Sequence, residues 1–222
     1  MNTFKRKIKG VIFDLDGTLI NSIEDIKDSL NHILKTYDHP IITTKKCSAL
    51  VGHGLFDLVK HSVPEEFREK PYLDLLVSEM REEYTTRWLD KTALYDGVDE
   101  MLNQLSKRKY VFAVLSNKVQ TSTQTLVSQL LSNWHFSVVA GAIPERPLKP
   151  HPASIRFVLD ELGLQADEVI FVGDGDADVL AAQSISMKVI AVSWGYRTKQ
   201  SLSALSPDYM IDHPYQILDI LL

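Results

Sequence analysis

This sequence contains one cysteine, no long apolar run and no excess of basic residues. Cys47 alone cannot form an internal disulfide or a cysteine-based zinc site, which excludes a disulfide-stabilised scaffold. No apolar run approaches the roughly 18 residues that a membrane span needs, so we expect no membrane partner. The formal net charge of -5 argues against a nucleic-acid partner, because nucleic-acid-binding proteins present a basic surface.

The first ten residues are basic but do not resemble an export signal. They lack a long apolar stretch and a small-residue cleavage site. Together with the single cysteine, this predicts a cytoplasmic protein. At 222 residues, 45% of them hydrophobic and 24% charged, the chain can bury a substantial core and carry a large insertion.

Two aspartates close the first apolar run of the chain. Val11, Ile12 and Phe13 predict a buried strand, and Asp14 and Asp16 follow within three residues. In open α/β sheets the carboxyl ends of the strands are where ligands bind. Two carboxylates there repel each other unless a cation or a proton neutralises them, so the pattern indicates a metal.

Three later strand-like segments also end in polar residues. The segment at 110–115 leads into Ser116, Asn117 and Lys118, the segment at 136–139 leads through a loop to Lys149, and the segment at 169–172 leads into Gly173, Asp174 and Asp178. Each motif alone is a weak signal. Four in this order predict one site at one edge of a parallel sheet.

Strand and helix patterns alternate along most of the chain, which predicts an α/β protein with a doubly wound parallel sheet. Helical spacing predicts helices at 22–35, 43–50, 56–61, 65–89, 97–109, 122–131, 153–162, 178–184 and 215–222. Ser22 is a candidate N-cap of the first of these helices. A helical block interrupts the alternation, so we predict a core of residues 1–24 and 96–222 with a helical insertion at 25–95.

The residue types suit phosphate chemistry. Asp14 and Asp174, brought together from two strand ends, can hold one Mg²⁺. Lys149 supplies a positive charge that can touch both a nucleophile and a phosphate. Ser116 and Asn117 offer hydrogen-bond donors to phosphate oxygens, although both could simply cap the next helix.

Two further residues of the motifs support this site. Thr18 follows Gly17 in the turn and can fix it by hydrogen bonding close to the substrate. Asp178 either supports the metal ligands or Lys149, or is no more than the N-cap of the following helix.

The motif set Asp14–Leu15–Asp16–Gly17–Thr18, with Lys149 and Gly173–Asp174, resembles the haloacid dehalogenase superfamily in its phosphatase branch. The resemblance implies a helical cap that opens and closes over the site. It also implies that Asp14 is the nucleophile and forms an aspartyl-phosphate. Asp16 would give its backbone carbonyl to the metal, and its side chain would act as acid and base.

A Gly52–His53–Gly54 turn stands out in the predicted cap. It is either a plain connection between helices or a loop that selects the substrate, with Gly52 and His53 over the leaving group. The segment resembles the cap turn of the phosphoglycolate phosphatase family, in which the middle residue is small and polar, so His53 departs from that pattern.

The leading hypothesis is therefore a Mg²⁺-dependent phosphatase of a small phosphorylated metabolite, acting as a monomer or homodimer. A sugar-phosphate mutase of the β-phosphoglucomutase type is the alternative among enzymes. A phosphoaccepting signalling domain is an alternative of another class, although such domains place the phosphorylated aspartate on a middle strand and have no helical insertion after the first.

Overall fold

Eight strands are present in the computed structural model, which describes residues 7–221. They are β1 Gly10–Phe13, β2 Ile20–Asn21, β3 Ala93–Leu94, β4 Val111–Val119, β5 Phe136–Ala142, β6 Val169–Gly173, β7 Lys188–Val192 and β8 Tyr209–Ile211. Six of them form one parallel sheet in the order β5-β4-β1-β6-β7-β8, and β2 pairs with β3 in a separate ladder. The central position of β1 brings its carboxyl end between those of β4 and β6.

Ten α-helices accompany these strands in the described part of the chain. They are α1 Ile23–Thr36, α2 Thr44–Leu50, α3 Leu55–Ser62, α4 Lys70–Arg87, α5 Val98–Lys107, α6 Gln120–Leu130, α7 Pro152–Leu162, α8 Asp176–Gln183, α9 Lys199–Ser203 and α10 Ile217–Leu221. Short 3₁₀ turns occupy Glu65–Phe67, Ala166–Glu168 and Pro214–Gln216. None of the helices within residues 7–221 has the length and apolar character needed to cross a lipid bilayer.

The parallel sheet is buried on both faces, which explains its continuous apolar strands. In β1, Val11 and Phe13 join one hydrophobic cluster and Ile12 joins the cluster on the opposite face. Helices α5, α6 and α10 contribute to the first cluster, and α7, α8 and α9 contribute to the second. The predicted doubly wound α/β core is confirmed.

Helices α1 to α4 form a cap with a hydrophobic cluster of its own, as predicted from the helical block. Residues from Ile23 to Tyr84 make up its buried interior. The antiparallel pair β2 and β3, in which Ile20 faces Leu94, lies where the chain leaves and re-enters the core. The limits 25–95 remain a prediction.

Several element boundaries differ from those predicted. The helix predicted at 65–89 is a 3₁₀ turn followed by α4, with Pro71 in the first turn of α4, where its missing N–H costs no hydrogen bond. Strand β4 continues to Val119, so Ser116 and Asn117 lie within the strand and do not cap α6.

Two helix N-termini differ in detail from the alternatives that the sequence offered. Ser22 is the N-cap residue of α1, as predicted, but its side chain makes no capping hydrogen bond. Gly175 is the N-cap of α8, and Asp178 is the third residue of that helix, where its carboxylate accepts the Gly175 N–H. Residues 1–6 of the predicted core and Leu222 of the last predicted helix lie outside the described residues.

Candidate active site

Three carboxylates meet at the carboxyl edge of the sheet. Asp14 follows β1, Asp174 follows β6, and Asp178 lies in the first turn of α8. One oxygen from each lies within 4.8 Å of the others, and all three side chains are buried. Asp14 and Asp174 therefore lie close together, as the sequence predicts, and Asp178 belongs to the same cluster.

A buried lysine lies between these carboxylates. The Lys149 ammonium is 2.9 Å from Asp14 Oδ1 and 2.6 Å from Asp178 Oδ1, and it donates to the Leu115 carbonyl at 2.8 Å. Burial alone would lower the pKa of Lys149, but Asp14 and Asp178 more than offset it and raise that pKa. Lys149 is therefore a fixed cation that faces the nucleophile predicted here.

One ammonium does not neutralise three carboxylates, and the pKa values of the aspartates reflect this. Burial, with added repulsion from Asp178, raises the pKa of Asp14 well above its ordinary value against the opposing effect of Lys149. Burial and Asp178 also raise the pKa of Asp174 to about 7. A cluster of buried oxygens with excess negative charge fits a hard divalent cation.

The Asp174 carboxylate is packed between two glycines. A Cβ at Gly17, which has a φ of +87°, would come within 2.3 Å of Asp174 Oδ2, and one at Gly195 would come within 2.3 Å of Asp174 Cβ. Thr18 Oγ1 donates to Asp174 Oδ1 at 3.0 Å, and the Tyr196 N–H donates to Oδ2 at 2.7 Å. The Thr18 hydroxyl is thus bonded to Asp174 and buried.

Asp178 is already engaged through both of its oxygens. Oδ1 accepts from Lys149, and Oδ2 accepts the Gly175 N–H at 2.8 Å. This arrangement suits a residue that orients Lys149. Asp174 accepts instead from two neutral donors, the Thr18 hydroxyl and the Tyr196 N–H, and Asp14 and Asp174 are the two carboxylates that the sequence predicts as metal ligands.

Asp16 lies in a different environment from Asp14. Its Oδ1 accepts from the Lys118 ammonium at 3.0 Å and from the Ser22 hydroxyl, which is also 3.1 Å from the Tyr196 hydroxyl. Burial alone would lower the pKa of Lys118, but the charge of Asp16 leads the effects that raise that pKa above its ordinary value. Asp16 is therefore held at the cavity wall by a cation and a hydroxyl.

Ser116 and Asn117 have separate roles in this structure. Ser116 is buried and lines the cavity above Asp14. The Asn117 side chain accepts the Lys149 N–H at 2.8 Å and donates to the carbonyls of Lys149 at 2.9 Å and Gly52 at 2.8 Å. With its amide engaged in this way, Asn117 connects the backbone of Lys149 to the cap turn.

The cap turn contacts the core, with His53 on its outer side. Gly52 and Gly54 have φ values of +118° and +93°, and both line the cavity. The His53 imidazole lies outside that cavity, 3.5 Å from Asp176 Oδ2, beside a separate outer groove. Arg197 donates to the Val51 carbonyl at 2.8 Å.

Residues 11–192 match the haloacid dehalogenase-like hydrolase family. The chain belongs to this family. The match spans the four polar strand ends and the whole cap, so the resemblance that the motifs indicated is confirmed.

Haloacid dehalogenase-like hydrolases with named activities are similar to this chain over most of its length. Phosphoglycolate phosphatase of Haemophilus influenzae is 29% identical over 227 residues, covering 100% of both chains. Phosphoglycolate phosphatase of Pseudomonas savastanoi is 30% identical over 207 residues, covering 92% of this chain and 76% of its own length. The crystal structure of a predicted phosphoglycolate phosphatase from Haemophilus somnus has a TM-score of 0.88 at 27% identity, covering 98% of this chain and 99% of that chain.

These relatives confirm that the chain is a phosphatase of the haloacid dehalogenase-like family. Five residues of the site have no role in the prediction from the sequence: Ser22, Tyr84, Lys118, Tyr196 and Arg197. Of these, Lys118 gave a usable signal, because it directly follows Ser116 and Asn117 in the same motif. Ser22 reaches Asp16 across the turn after β1, Tyr84 reaches the site through the cap, and Tyr196 and Arg197 reach it through the loop after β7.

Proposed function

We propose that the chain is a Mg²⁺-dependent phosphomonoester hydrolase of a small phosphorylated metabolite, with Asp14 as its nucleophile. The observation that carries this proposal is the buried Asp14 carboxylate, 2.9 Å from Lys149 and two residues before a second carboxylate held by a different cation. Two carboxylates in different environments suit two chemical roles.

In the first half of the reaction, an Asp14 oxygen attacks the phosphorus and the bond from phosphorus to the ester oxygen breaks. Asp16 donates its proton to the departing alcohol oxygen, and an aspartyl-phosphate remains on Asp14. In the second half, Asp16 removes a proton from a water that attacks the phosphorus, and the bond to Asp14 breaks. Phosphate is released and both carboxyl groups return to their starting states.

The surrounding residues bind and orient the phosphoryl group. Lys149 faces Asp14 and can pair with a phosphate oxygen, and the Ser116 hydroxyl lines the same cavity. A bound Mg²⁺, held by Asp14, Asp174 and the backbone carbonyl of Asp16, would screen the negative charge of the phosphoryl oxygens. The Lys118 ammonium keeps Asp16 at the cavity wall.

The relatives indicate the first substrate to test. Two phosphoglycolate phosphatases match at 29% and 30% identity, which supports 2-phosphoglycolate as a candidate. The single cysteine supports a cytoplasmic enzyme, and the acidic net charge fits a small-molecule substrate rather than a nucleic acid. The oligomeric state that we propose is a monomer or a homodimer.

Phosphate release from a panel of small esters tests this proposal. The panel contains 2-phosphoglycolate, propyl phosphate, glycerol 3-phosphate, glucose 6-phosphate and phenyl phosphate, each assayed with Mg²⁺ and with EDTA. We expect release from at least one alkyl ester with Mg²⁺ and loss of release with EDTA. No release from any ester, or release unaffected by EDTA, would contradict the proposal.

A further inference from the structure

The two walls of the active-site cavity differ in chemistry. The core wall presents the aspartates, Ser116 and Lys118. The cap wall, which we call the roof, is the set of cap residues that line the cavity: Ile26, Val51, Gly52, Gly54, Leu55, Leu58, Met80, Arg81 and Tyr84. A phosphoryl group bound at the core wall would therefore point its organic part towards the roof.

The roof has few polar side chains. Five of its members are aliphatic or thioether side chains from α1, α3, α4 and the cap turn, and among its described residues there is no carboxylate or amide. Only Tyr84 and Arg81 carry polar side-chain groups. Each hydroxyl group on a substrate that enters such a chamber loses hydrogen bonds to water with few replacements.

The Tyr84 hydroxyl is the one polar group buried in the roof. Tyr84 is 7% exposed, and its hydroxyl has no hydrogen-bond partner within residues 7–221. The Lys118 ammonium lies 4.4 Å from the centre of its ring, and Lys118 in turn contacts Asp16. Tyr84 therefore lies close to the group that protonates the leaving oxygen, with an unused capacity for one hydrogen bond.

The cavity is small. Its volume is about 90 Å³, which is the volume of roughly three water molecules in the liquid. A phosphoryl group and a short organic part of a few atoms can fill it when the cap is docked as seen here. A chain of about three carbons is therefore a suitable probe of the roof.

We infer that the roof selects phosphomonoesters whose organic part is short and free of hydroxyl groups, with its aliphatic side chains determining the specificity and Tyr84 as the one buried hydrogen-bonding side chain that opposes it. This inference rests on the proposed hydrolase function and names the substrate class of the same site. Polyhydroxylated esters such as sugar phosphates are poor substrates, since their hydroxyls face aliphatic side chains. This argues against the sugar-phosphate mutase considered from the sequence.

Propyl phosphate and glycerol 3-phosphate form a matched pair that tests the inference. Both present a three-carbon chain to the roof, and the second adds two hydroxyls. We expect kcat/KM to be at least ~10-fold higher for propyl phosphate. Glycerol has the better leaving oxygen, so intrinsic reactivity works against the expected ratio.

Two variants test whether the roof causes this difference in kcat/KM between the two esters. Leu55→Gln places an amide in the roof at a half-buried position, and we expect it to lower the ratio of propyl phosphate to glycerol 3-phosphate about 5-fold or more. Tyr84→Phe keeps the ring and removes the hydroxyl, and should raise the ratio. Leu75→Gln on the exposed side of α4 is the matched control and should leave it unchanged.

The outcomes separate this inference from the proposed function. An enzyme that hydrolyses both esters equally, or prefers glycerol 3-phosphate, overturns the inference and leaves the hydrolase intact. A ratio unmoved by both Leu55→Gln and Tyr84→Phe, in variants with wild-type circular dichroism, also overturns it. No phosphate release from either ester or from the wider panel contradicts the hydrolase proposal itself.

Discussion

The core wall and the cap wall of the cavity are held in place by different kinds of contact. In the core wall, side chains bind side chains: Lys149 contacts Asp14 and Asp178, and Lys118 contacts Asp16. The cap turn and the end of α2 before it are docked through backbone carbonyls. Arg197 donates to the carbonyls of Ser48 and Val51 at 2.7 and 2.8 Å, and Asn117 donates to that of Gly52 at 2.8 Å.

This difference has a consequence for how the site can vary. A side-chain ion pair depends on the identity of both partners, so a change in the core wall alters the chemistry. A carbonyl is present at every position, so the cap can change its side chains and still dock on Arg197 and Asn117. The core wall therefore carries the reaction, and the roof is free to determine the substrate.

The largest expected effect comes from breaking the core wall at its nucleophile. Asp14→Asn should lower kcat by at least about 10³-fold, because an amide cannot form the acyl phosphate. The fold should survive, since the change removes one of three mutually repelling buried carboxylates. Steady-state kinetics and a thermal melt check both statements.

Asp160→Asn, on the exposed face of α7, is the matched control and should keep full activity. Activity of Asp14→Asn within tenfold of the wild type, measured on protein free of deamidation, would show that another group is the nucleophile.

A second change in the core wall separates acid catalysis from phosphoryl binding. Asp16→Asn should slow alkyl phosphates by about 10²- to 10⁴-fold, because their leaving oxygen needs a proton. Phenyl phosphate has a better leaving group and should slow by about tenfold or less. The ratio of the two rates is the measurement, and equal losses on both esters would remove Asp16 from the acid role.

A third prediction uses the excess negative charge of the core wall. Asp174 has a pKa of about 7 in the folded protein against an ordinary value of 3.8. The metal-free folded protein therefore holds an extra proton between these two pH values, so its free energy of unfolding decreases as pH rises from about 4 to about 7. The contribution is on the order of a few kcal/mol.

Asp174→Asn removes this titration. The Thr18 hydroxyl, which donates to Asp174 in the wild type, can instead accept from the new amide NH₂ while the amide oxygen accepts the Tyr196 N–H. In EDTA at pH 8 we expect the variant to melt several degrees above the wild type, roughly 5 °C, and the gap to close towards pH 4. Mg²⁺ at pH 8 should stabilise the wild type and not the variant. A variant that is less stable at every pH would refute the proposed charge repulsion.

Strands and site residues that follow from the local pattern of apolar and polar residues could be predicted from the sequence. Strands β1 and β6 are buried on both faces, so each is a continuous apolar run, and Asp14 and Asp174 follow them directly. Strands β2 and β3 contain two residues each, and no periodicity can be read from two residues.

The hydrogen-bond partners of individual polar side chains depend on the tertiary structure and could not be predicted from the local sequence. Ser22 has the residue type and position of a helix N-cap, but its hydroxyl donates to Asp16. Asn117 has the residue type of a phosphate ligand, but its amide is bonded to Lys149 and Gly52. Asp16 is six residues from Ser22, and Lys149 is 32 residues from Asn117, so in each case a partner outside the local helix or strand pattern determines where the side chain bonds.

The smallest expected loss of activity comes from weakening the contacts that dock the cap on the core. It tests whether the cap wall and the core wall have separate roles. Arg197→Met removes three hydrogen bonds, to the carbonyls of Ser48 and Val51 and to Asp176, and leaves the core ion pairs in place. We expect kcat/KM to fall about tenfold, because a cap that closes less often excludes water less well. Asn117→Ala should cost more, about 10²-fold, because Asn117 also holds the backbone of Lys149.

Hydrogen exchange locates the cause of these losses. Amides of residues 48–54 should exchange faster in Arg197→Met, while those of β1 and β6 should keep their protection. Arg156→Met on the exposed face of α7 is the matched control and should change neither activity nor exchange. If Arg197→Met instead loses activity as severely as Asp14→Asn, with unchanged exchange in the cap turn, Arg197 acts on the reacting groups themselves. The division between a core wall that does chemistry and a cap wall that docks through its backbone would then be wrong at this residue.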